Sequence, residues 1–177
     1  WLTPLRALAA DTEQALRLPV TELGLPWTVE SRTGDTSASQ RARQRERLPT
    51  VLVTTPESLS LLLCREEHAQ LFADLHCVIV DEWHELMATK RGVQVELCLA
   101  RLRRICPSLR TRGVSATLGN LEEAAETLLG FDEKGDRRRG RLVRGVVPKS
   151  VEVEALLPDT MDRFPWAGHL NTKLLPE

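Results

Sequence analysis

Cys77-Val78-Ile79-Val80-Asp81-Glu82-Trp83-His84 is the stretch on which the fold turns. It holds the most apolar β-branched run in the chain and stops abruptly at two adjacent acids, as a fully buried parallel strand does when it delivers carboxylates to its carboxyl end. Carboxylates beside a core are costly unless they serve a cation or a reaction. One of the pair, Asp81, can hold Mg²⁺ on a nucleotide, directly or through water, while Glu82 orients or deprotonates an attacking water. Alone, an Asp-Glu pair identifies nothing, because solvated turns carry such pairs routinely.

Upstream, Thr50-Val51-Leu52-Val53-Thr54 is a second short strand, and it runs into Thr55-Pro56-Glu57-Ser58, a helix start ahead of the apolar residues 59–63. Thr3-Pro4-Leu5-Arg6 has the same form, with Thr3 as N-cap and Pro4 at the first helical position, where its missing N–H costs nothing. Leu5, Leu8, Ala9, Ala15 and Leu16 give this helix an apolar face, and Pro19 with the Gly24-Leu25-Pro26 turn is expected to end it. Trp27-Thr28-Val29-Glu30 alternates as a half-buried strand does, and a polar, Arg-rich segment follows over residues 32–47.

Downstream, Val95, Leu99, Leu102 and Ile105 recur at helical spacing over residues 92–105, and Pro107 marks the stop. Residues 110–115 read as a strand that delivers Ser115-Ala116-Thr117 to its end. Asn120 and Glu123 resemble a capping box, and Gly130 closes the helix between them. Residues 132–144 are expected as an exposed hairpin or loop, 151–154 as a strand and 158–177 as a linker. This alternation predicts an α/β fold, a mostly parallel sheet with helices on both faces. Chemistry in such sheets collects at strand carboxyl ends, where the Thr-Pro, Asp-Glu and Ser-Ala-Thr clusters all fall.

Composition narrows the partners. The chain of 177 residues, 42% hydrophobic, suits one domain with one core. With 24 basic against 25 acidic residues it has no global basic field, so a nucleic-acid partner must be held by local patches. Cys64, Cys77, Cys98 and Cys106 form no C-x-x-C pair and read as reduced core thiols. No apolar stretch approaches the roughly 20 residues of a membrane span, so the expectation is a cytoplasmic protein. Trp1 in place of an initiator Met carries the expectation of sequence upstream.

Hydroxyls beside free helix N-terminal N–H groups, at Thr3-Pro4 and at Thr55-Pro56, make anion sites suited to a phosphodiester. Ser115-Ala116-Thr117 can hydrogen-bond the Asp81-Glu82 loop. Arg41, Arg43, Arg45 and Arg47 alternate and could follow a phosphate backbone, but a solvated helix face is the preferred reading, as it is for Arg137, Arg138 and Arg139. His84 alone reads as a satisfied polar residue and Trp83 as a packed aromatic. A metal set of His84, Asp81 and Glu85 is disfavoured, since adjacent positions on a short turn converge poorly on one ion.

Taken in order, T-P-L-R-A-L, R-T-G-D, T-T-P-E-S-L, D-E-W-H-E-L and S-A-T-L-G-N resemble motifs Ia through III of superfamily 2 helicases. D-E-W-H-E-L with K-R-G-V-Q, and F-P-W-A-G-H-L, look like the Lhr-like, ligase-associated DExH-box DNA helicases. The resemblance implies a RecA-like sheet incomplete at its N-terminal side, with residues 1–148 as a partial ATP-binding domain and 149–177 as a connector toward a second motor domain. It implies ATP and Mg²⁺ as cofactors, single-stranded DNA as partner, a role in DNA repair, and a DNA ligase and nuclease as neighbours. Asp81 would help coordinate Mg²⁺, Glu82 would activate water, and His84 would link the nucleotide site to the motor. Ser115, Ala116 and Thr117 would couple hydrolysis to movement. Thr3, Pro4, Arg6, Thr33, Gly34, Asp35, Thr55, Pro56 and Glu57 would line the strand's path.

The G-x-G-K-[ST] loop that holds the ATP phosphates in this family occurs nowhere in the sequence, so the chain by itself is expected to be inactive. A degenerate module that binds nucleic acid or a partner without turnover is the alternative, and an RNA helicase is another.

Overall fold

The computed structural model describes residues 1–145 apart from Thr117 and Glu133. Residues Trp1–Leu142 cluster as one unit and Val143–Glu177 as another. The strand expected at 151–154, the linker at 158–177, the 149–177 connector and the F-P-W-A-G-H-L motif lie outside the described residues.

In chain order the elements are α1 (Arg6–Glu22), β1 (Val29–Arg32), α2 (Ala38–Glu46), β2 (Val51–Thr54), α3 (Pro56–Leu63), α4 (His68–Leu71), β3 (Cys77–Val80), α5 (Trp83–Leu86), α6 (Lys90–Ile105), β4 (Arg110–Gly113) and α7 (Leu121–Leu129). The expected α/β alternation is present. β1 pairs with β2 and β3 with β4, both parallel. Leu2 joins the two pairs by parallel bridges to Thr54 and Val80. Its N–H donates to the Ile79 carbonyl at 2.8 Å, its carbonyl accepts from Asp81 N–H at 2.8 Å, and Thr3 N–H donates to the Thr54 carbonyl at 2.9 Å. Leu2 is therefore a one-residue central strand, 1% exposed.

The period of two along each strand sorts side chains to opposite faces. Val29 and Val53 pack with Ala9, Leu16 and Val20 of α1 on one face. Val78 and Val80 pack on the other with Leu59, Leu62, Val95, Leu99 and Leu102 of α3 and α6. Each such leucine contributes about 1.5–3 kcal/mol by leaving water. The expectation that β3 is buried throughout is corrected: its burial alternates, with Val78 and Val80 buried and Cys77 and Ile79 half-buried. The reason is that α1 makes its sheet contacts with β1 and β2 rather than β3.

Local chemistry explains other differences. α1 begins at Arg6 with Leu5 at the N-cap, not at Pro4 with Thr3, because the Thr3 hydroxyl is buried and donates to the Leu5 carbonyl at 3.1 Å. Pro19 lies inside α1 instead of ending it. It removes a donor only from an exposed stretch of the helix, where water can serve the freed carbonyl. The stop comes at Gly24, φ +61°, where Leu25 N–H reaches the Val20 carbonyl at 3.0 Å and Gly24 N–H that of Thr21 at 3.1 Å, a Schellman closure. The first strand starts at Val29, two residues after Trp27, since Thr28 and Thr50 pair through their hydroxyls instead. The Arg-rich segment contains α2, capped by Ser37 Oγ accepting from Gln40 N–H. α6 starts at Lys90 because Thr89 caps it by accepting from Gly92 N–H. The 132–144 loop opens with an Asp132-centred turn and one antiparallel bridge, Phe131 to Arg137.

Cysteine placement is likewise corrected: Cys98 and Cys106 are buried, Cys77 is half-buried and Cys64 is exposed. Burial pushes the Cys98 thiol up to about 11, and Cys106 Sγ donates to the Phe72 carbonyl at 3.0 Å. The thiolate is the reactive form, so a brief iodoacetamide pulse on the native chain is expected to alkylate Cys64 first and to spare Cys98 and Cys106 until denaturant is added. Peptide mass spectrometry reads the order, and Cys98 labelling as fast as Cys64 would contradict this packing. Among the described residues no helix is long and apolar enough to cross a membrane.

Candidate functional site

Because every strand runs the same way, Thr3, Arg32, Thr54, Asp81 and Gly113 all emerge at one edge of the sheet. The acids form the tightest cluster there. Asp81 follows β3 directly, and each carboxylate oxygen has one donor: Oδ1 takes Glu82 N–H at 3.0 Å and Oδ2 takes the Trp1 indole N–H at 3.1 Å. Among the described residues no cation pairs with Asp81.

Glu82 sits in the left-handed region, φ 46° and ψ 46°, which a non-glycine residue enters at a cost of about 1–3 kcal/mol. The turn is held from both sides. Trp83 N–H donates to the Val114 carbonyl at 3.0 Å, and the Trp83 indole, 2% exposed, donates to the Ala124 carbonyl at 3.0 Å. Trp83 is thus a packed anchor for the turn, as its sequence context suggests.

His84 faces four groups, three of them at Nδ1 and the fourth, Glu85 Oε1, 3.4 Å from Nε2. Its Nδ1 lies 3.1 Å from Ser115 Oγ, 3.4 Å from Ala116 N and 3.3 Å from Glu82 Oε2. A neutral ring accepts from Ser115 and Ala116 through Nδ1, whereas a protonated ring donates to Glu82. The neutral imidazole therefore connects the acid turn to the segment after β4, and protonation would turn Nδ1 toward Glu82 instead. Thr117 lies outside the described residues. Among them no three His, Cys, Asp or Glu side chains converge to hold a metal by themselves.

At the same strand-end edge of the sheet lies a groove of about 620 Å³, lined by Pro4, Arg6, Thr33, Gly34, Thr55 and Glu57 among others. The structure thus brings together residues distant in sequence. Thr33 and Thr55 are buried, at 8% and 4% exposure, so they shape the wall more than they present hydroxyls, and Thr3, fully buried, and Asp35 are not among the lining residues. Arg6 and Asp35 are exposed and paired with each other at 2.7 Å. Glu57 Oε1 and Oε2 accept from Arg91 at 2.6 and 3.2 Å, and that pairing holds the Glu57 carboxyl below its usual range against the opposing effect of burial.

Two charged groove residues escaped the sequence reading, Arg32 and Arg91, while Arg41 reads there as one of a run able to follow a phosphate backbone, with a solvated helix face preferred. Arg32 closes β1, so the rule that chemistry gathers at strand ends was the signal available for it. Arg41 was indistinguishable from its neighbours in an Arg-rich run, and nothing in the sequence pairs Arg91 with Glu57. Trp1, which orients Asp81, was also missed.

Parallel sheets of this kind, with acids at the shared edge wired to the next strand end, are the RecA-like class of nucleotide-driven domains. The structure of Mycobacterium smegmatis helicase Lhr bound to ssDNA and AMP-PNP matches this chain with a TM-score of 0.64 and 41% identity, over 73% of this chain and 18% of that one. The chain belongs to the DEAD/DEAH box helicase family, whose pattern it matches over residues 1–124. It is 33% identical to the ATP-dependent helicase Lhr-Core of Methanothermobacter thermautotrophicus, over 89% of this chain and 19% of that protein. It is 42% identical to the Lhr helicase/probable uracil glycosylase of Mycolicibacterium smegmatis, over 73% of this chain and 9% of that protein. The chain thus spans less than a fifth of the length of these relatives.

Proposed function

We propose that this chain is the acid-bearing part of an ATP-driven motor that moves along single-stranded DNA. The observation that carries the reading is what one sheet edge collects: the Asp81-Glu82-His84 turn, bonded to Ser115, and an arginine-lined groove both lie at the strand carboxyl ends. Asp81 suits Mg²⁺, being a half-buried carboxylate without a cationic partner among the described residues and with a lone pair left on each oxygen. Mg²⁺ on a nucleotide is typically held by one or two carboxylates together with phosphate oxygens and waters, and Asp81 would be one such carboxylate. When bound, Mg²⁺ supplies neutralisation of the phosphate oxygens.

In this reading Asp81 orients toward the ion, steadied by the Trp1 indole, and Glu82 positions or deprotonates the attacking water. His84 carries the state of the acid turn to Ser115, Ala116 and Thr117, which couple it to movement. Thr3, Pro4, Arg6, Thr33, Gly34, Asp35, Thr55, Pro56 and Glu57 form the wall and rim of the strand's path. No G-x-G-K-[ST] loop occurs in the sequence, so the 177-residue chain by itself turns over no ATP. A place in DNA repair beside a DNA ligase and a nuclease rests on the resemblance to ligase-associated helicases.

The test is ATP turnover by the ATP-hydrolysing protein that carries this chain, measured with oligo(dT) and with oligo(U) in turn. Severalfold stimulation by oligo(dT) is the expected result. Stimulation by oligo(U) alone would assign the groove to RNA, whose 2′-hydroxyl is the distinguishing group, and no stimulation by either would overturn the reading.

A further inference from the structure

Four arginines line the groove, and carboxylates occupy only two of them. Arg6 is paired with Asp35 and Arg91 with Glu57. Arg41 Nη2 donates instead to the backbone carbonyls of Thr33 and Gly34. Arg32 Nη1 makes two long contacts, both 3.4 Å, to the Arg41 carbonyl and Gln44 Oε1. Among the described residues neither guanidinium has an ion-pair partner.

Two uncompensated guanidiniums side by side repel each other. Burial, and then the like charges of Arg41, Arg45 and Arg65, lower the Arg32 pKa from its ordinary value. Such a pair is stabilised by an anion with several oxygens, which the planar forks can grip. Glu57 has the opposite character. Both its oxygens are spent on Arg91, and its charge would repel a phosphate.

We propose that Arg32 and Arg41 form a seat for the phosphodiester backbone of a single strand, and that Glu57 is a counter-ion that occupies Arg91 rather than a strand contact. The inference rests on the nucleic-acid reading of the groove and sharpens it, because it reverses the sign of one residue. Of the α2 arginines it selects only Arg41. Arg43 is paired with Glu30 at 2.6 Å, and Arg45, like Arg47 at the C-cap, is exposed outside the groove lining.

The experiment measures binding of a fluorescein-labelled short oligo(dT) strand by the full chain across a salt series. Each phosphate neutralised on a single strand contributes about 0.7 to the slope of log K against log salt. Arg32→Gln and Arg41→Gln are each expected to flatten the slope by about 0.7, and Arg47→Gln to leave it unchanged. Arg41 is the decisive position, since its guanidinium bonds only loop carbonyls and its loss leaves the core intact. Arg41→Lys should restore the slope without the full affinity, because the charge returns and the fork does not. Glu57→Gln should steepen the slope by about 0.7 by freeing Arg91, and adding Arg91→Gln should cancel the gain. Equal slopes for Arg41→Gln and the wild type, or weaker binding after Glu57→Gln, would overturn the proposal while leaving strand binding in place. Failure of the wild-type chain to bind oligo(dT) at low salt would defeat the groove reading itself, and this inference with it.

Discussion

Glu82→Gln in the ATP-hydrolysing protein that carries this chain is expected to cut nucleic-acid-stimulated turnover about a hundredfold or more, the usual share of a positioned general base. Gln matches Glu in size, so the strained turn at φ 46° keeps its shape, held by Trp83 N–H on the Val114 carbonyl and the Trp83 indole on the Ala124 carbonyl. What is lost is the negative charge that faces His84 at 3.3 Å and that, in the proposed role, accepts the water's proton. Strand affinity should stay as it was, because the groove residues are untouched. Single-turnover hydrolysis and anisotropy on the same preparation separate the two. Full stimulated turnover in the variant would remove Glu82 from the chemistry, and loss of both activities would mean the turn had collapsed.

The second large effect concerns stability. Gly92→Ala is expected to destabilise the fold by about 3 kcal/mol, the upper range for an overpacked site. Helix propensity argues the other way, since Ala gains about 1 kcal/mol over Gly inside a helix. Contact decides the sign. A β-carbon on Gly92 would collide with the Leu86 carbonyl oxygen and stand 2.9 Å from the Leu86 carbonyl carbon, backbone atoms that cannot rotate away. The same Leu86 oxygen accepts from Thr89 Oγ1 at 2.6 Å, so α6 cannot retreat without uncapping itself. Urea denaturation reads the change as a lower midpoint at unchanged slope. Gly119→Ala, with nothing within 4 Å, is the control expected to stay near wild type. An unchanged midpoint for Gly92→Ala would show that the α5–α6 junction is looser than drawn here.

These two results bear on one design. The acid turn is carried by α5, only four residues long, which cannot hold its own geometry. It borrows rigidity from α6 through Gly92, from α7 through the Trp83 indole, and from β4 through Val114. Arg91 sits next to Gly92 in the first turn of α6 and reaches Glu57 in the first turn of α3, so the groove and the acid turn share a support.

Much of this was legible in the sequence where signals are local. β3 and α3 fall where β-branched runs and the Thr-Pro start place them, because strand propensity and helix-start chemistry act within a few residues. The helix face read for the arginines of residues 41–47 is present as α2, but its docking was hidden, since its buried residue is Gln44, a polar side chain bonded to Glu30 and to the Ser31 carbonyl. Periodicity of apolar residues cannot reveal a helix that docks through an amide. Pro19 misled for the complementary reason: proline forbids a donor, and α1 passes it where that donor is not needed.

By itself the sequence determined the parallel alternation, the edge at which the chemistry gathers, and the acids themselves, since each follows from residue types at short spacing. Only the tertiary structure decided which arginines meet Glu57 and which stay without a carboxylate, that Trp1 steadies Asp81, and that β3 is fully buried on one face and half-buried on the other. Those facts depend on Coulomb and steric contacts between residues tens of positions apart, and no local propensity encodes them.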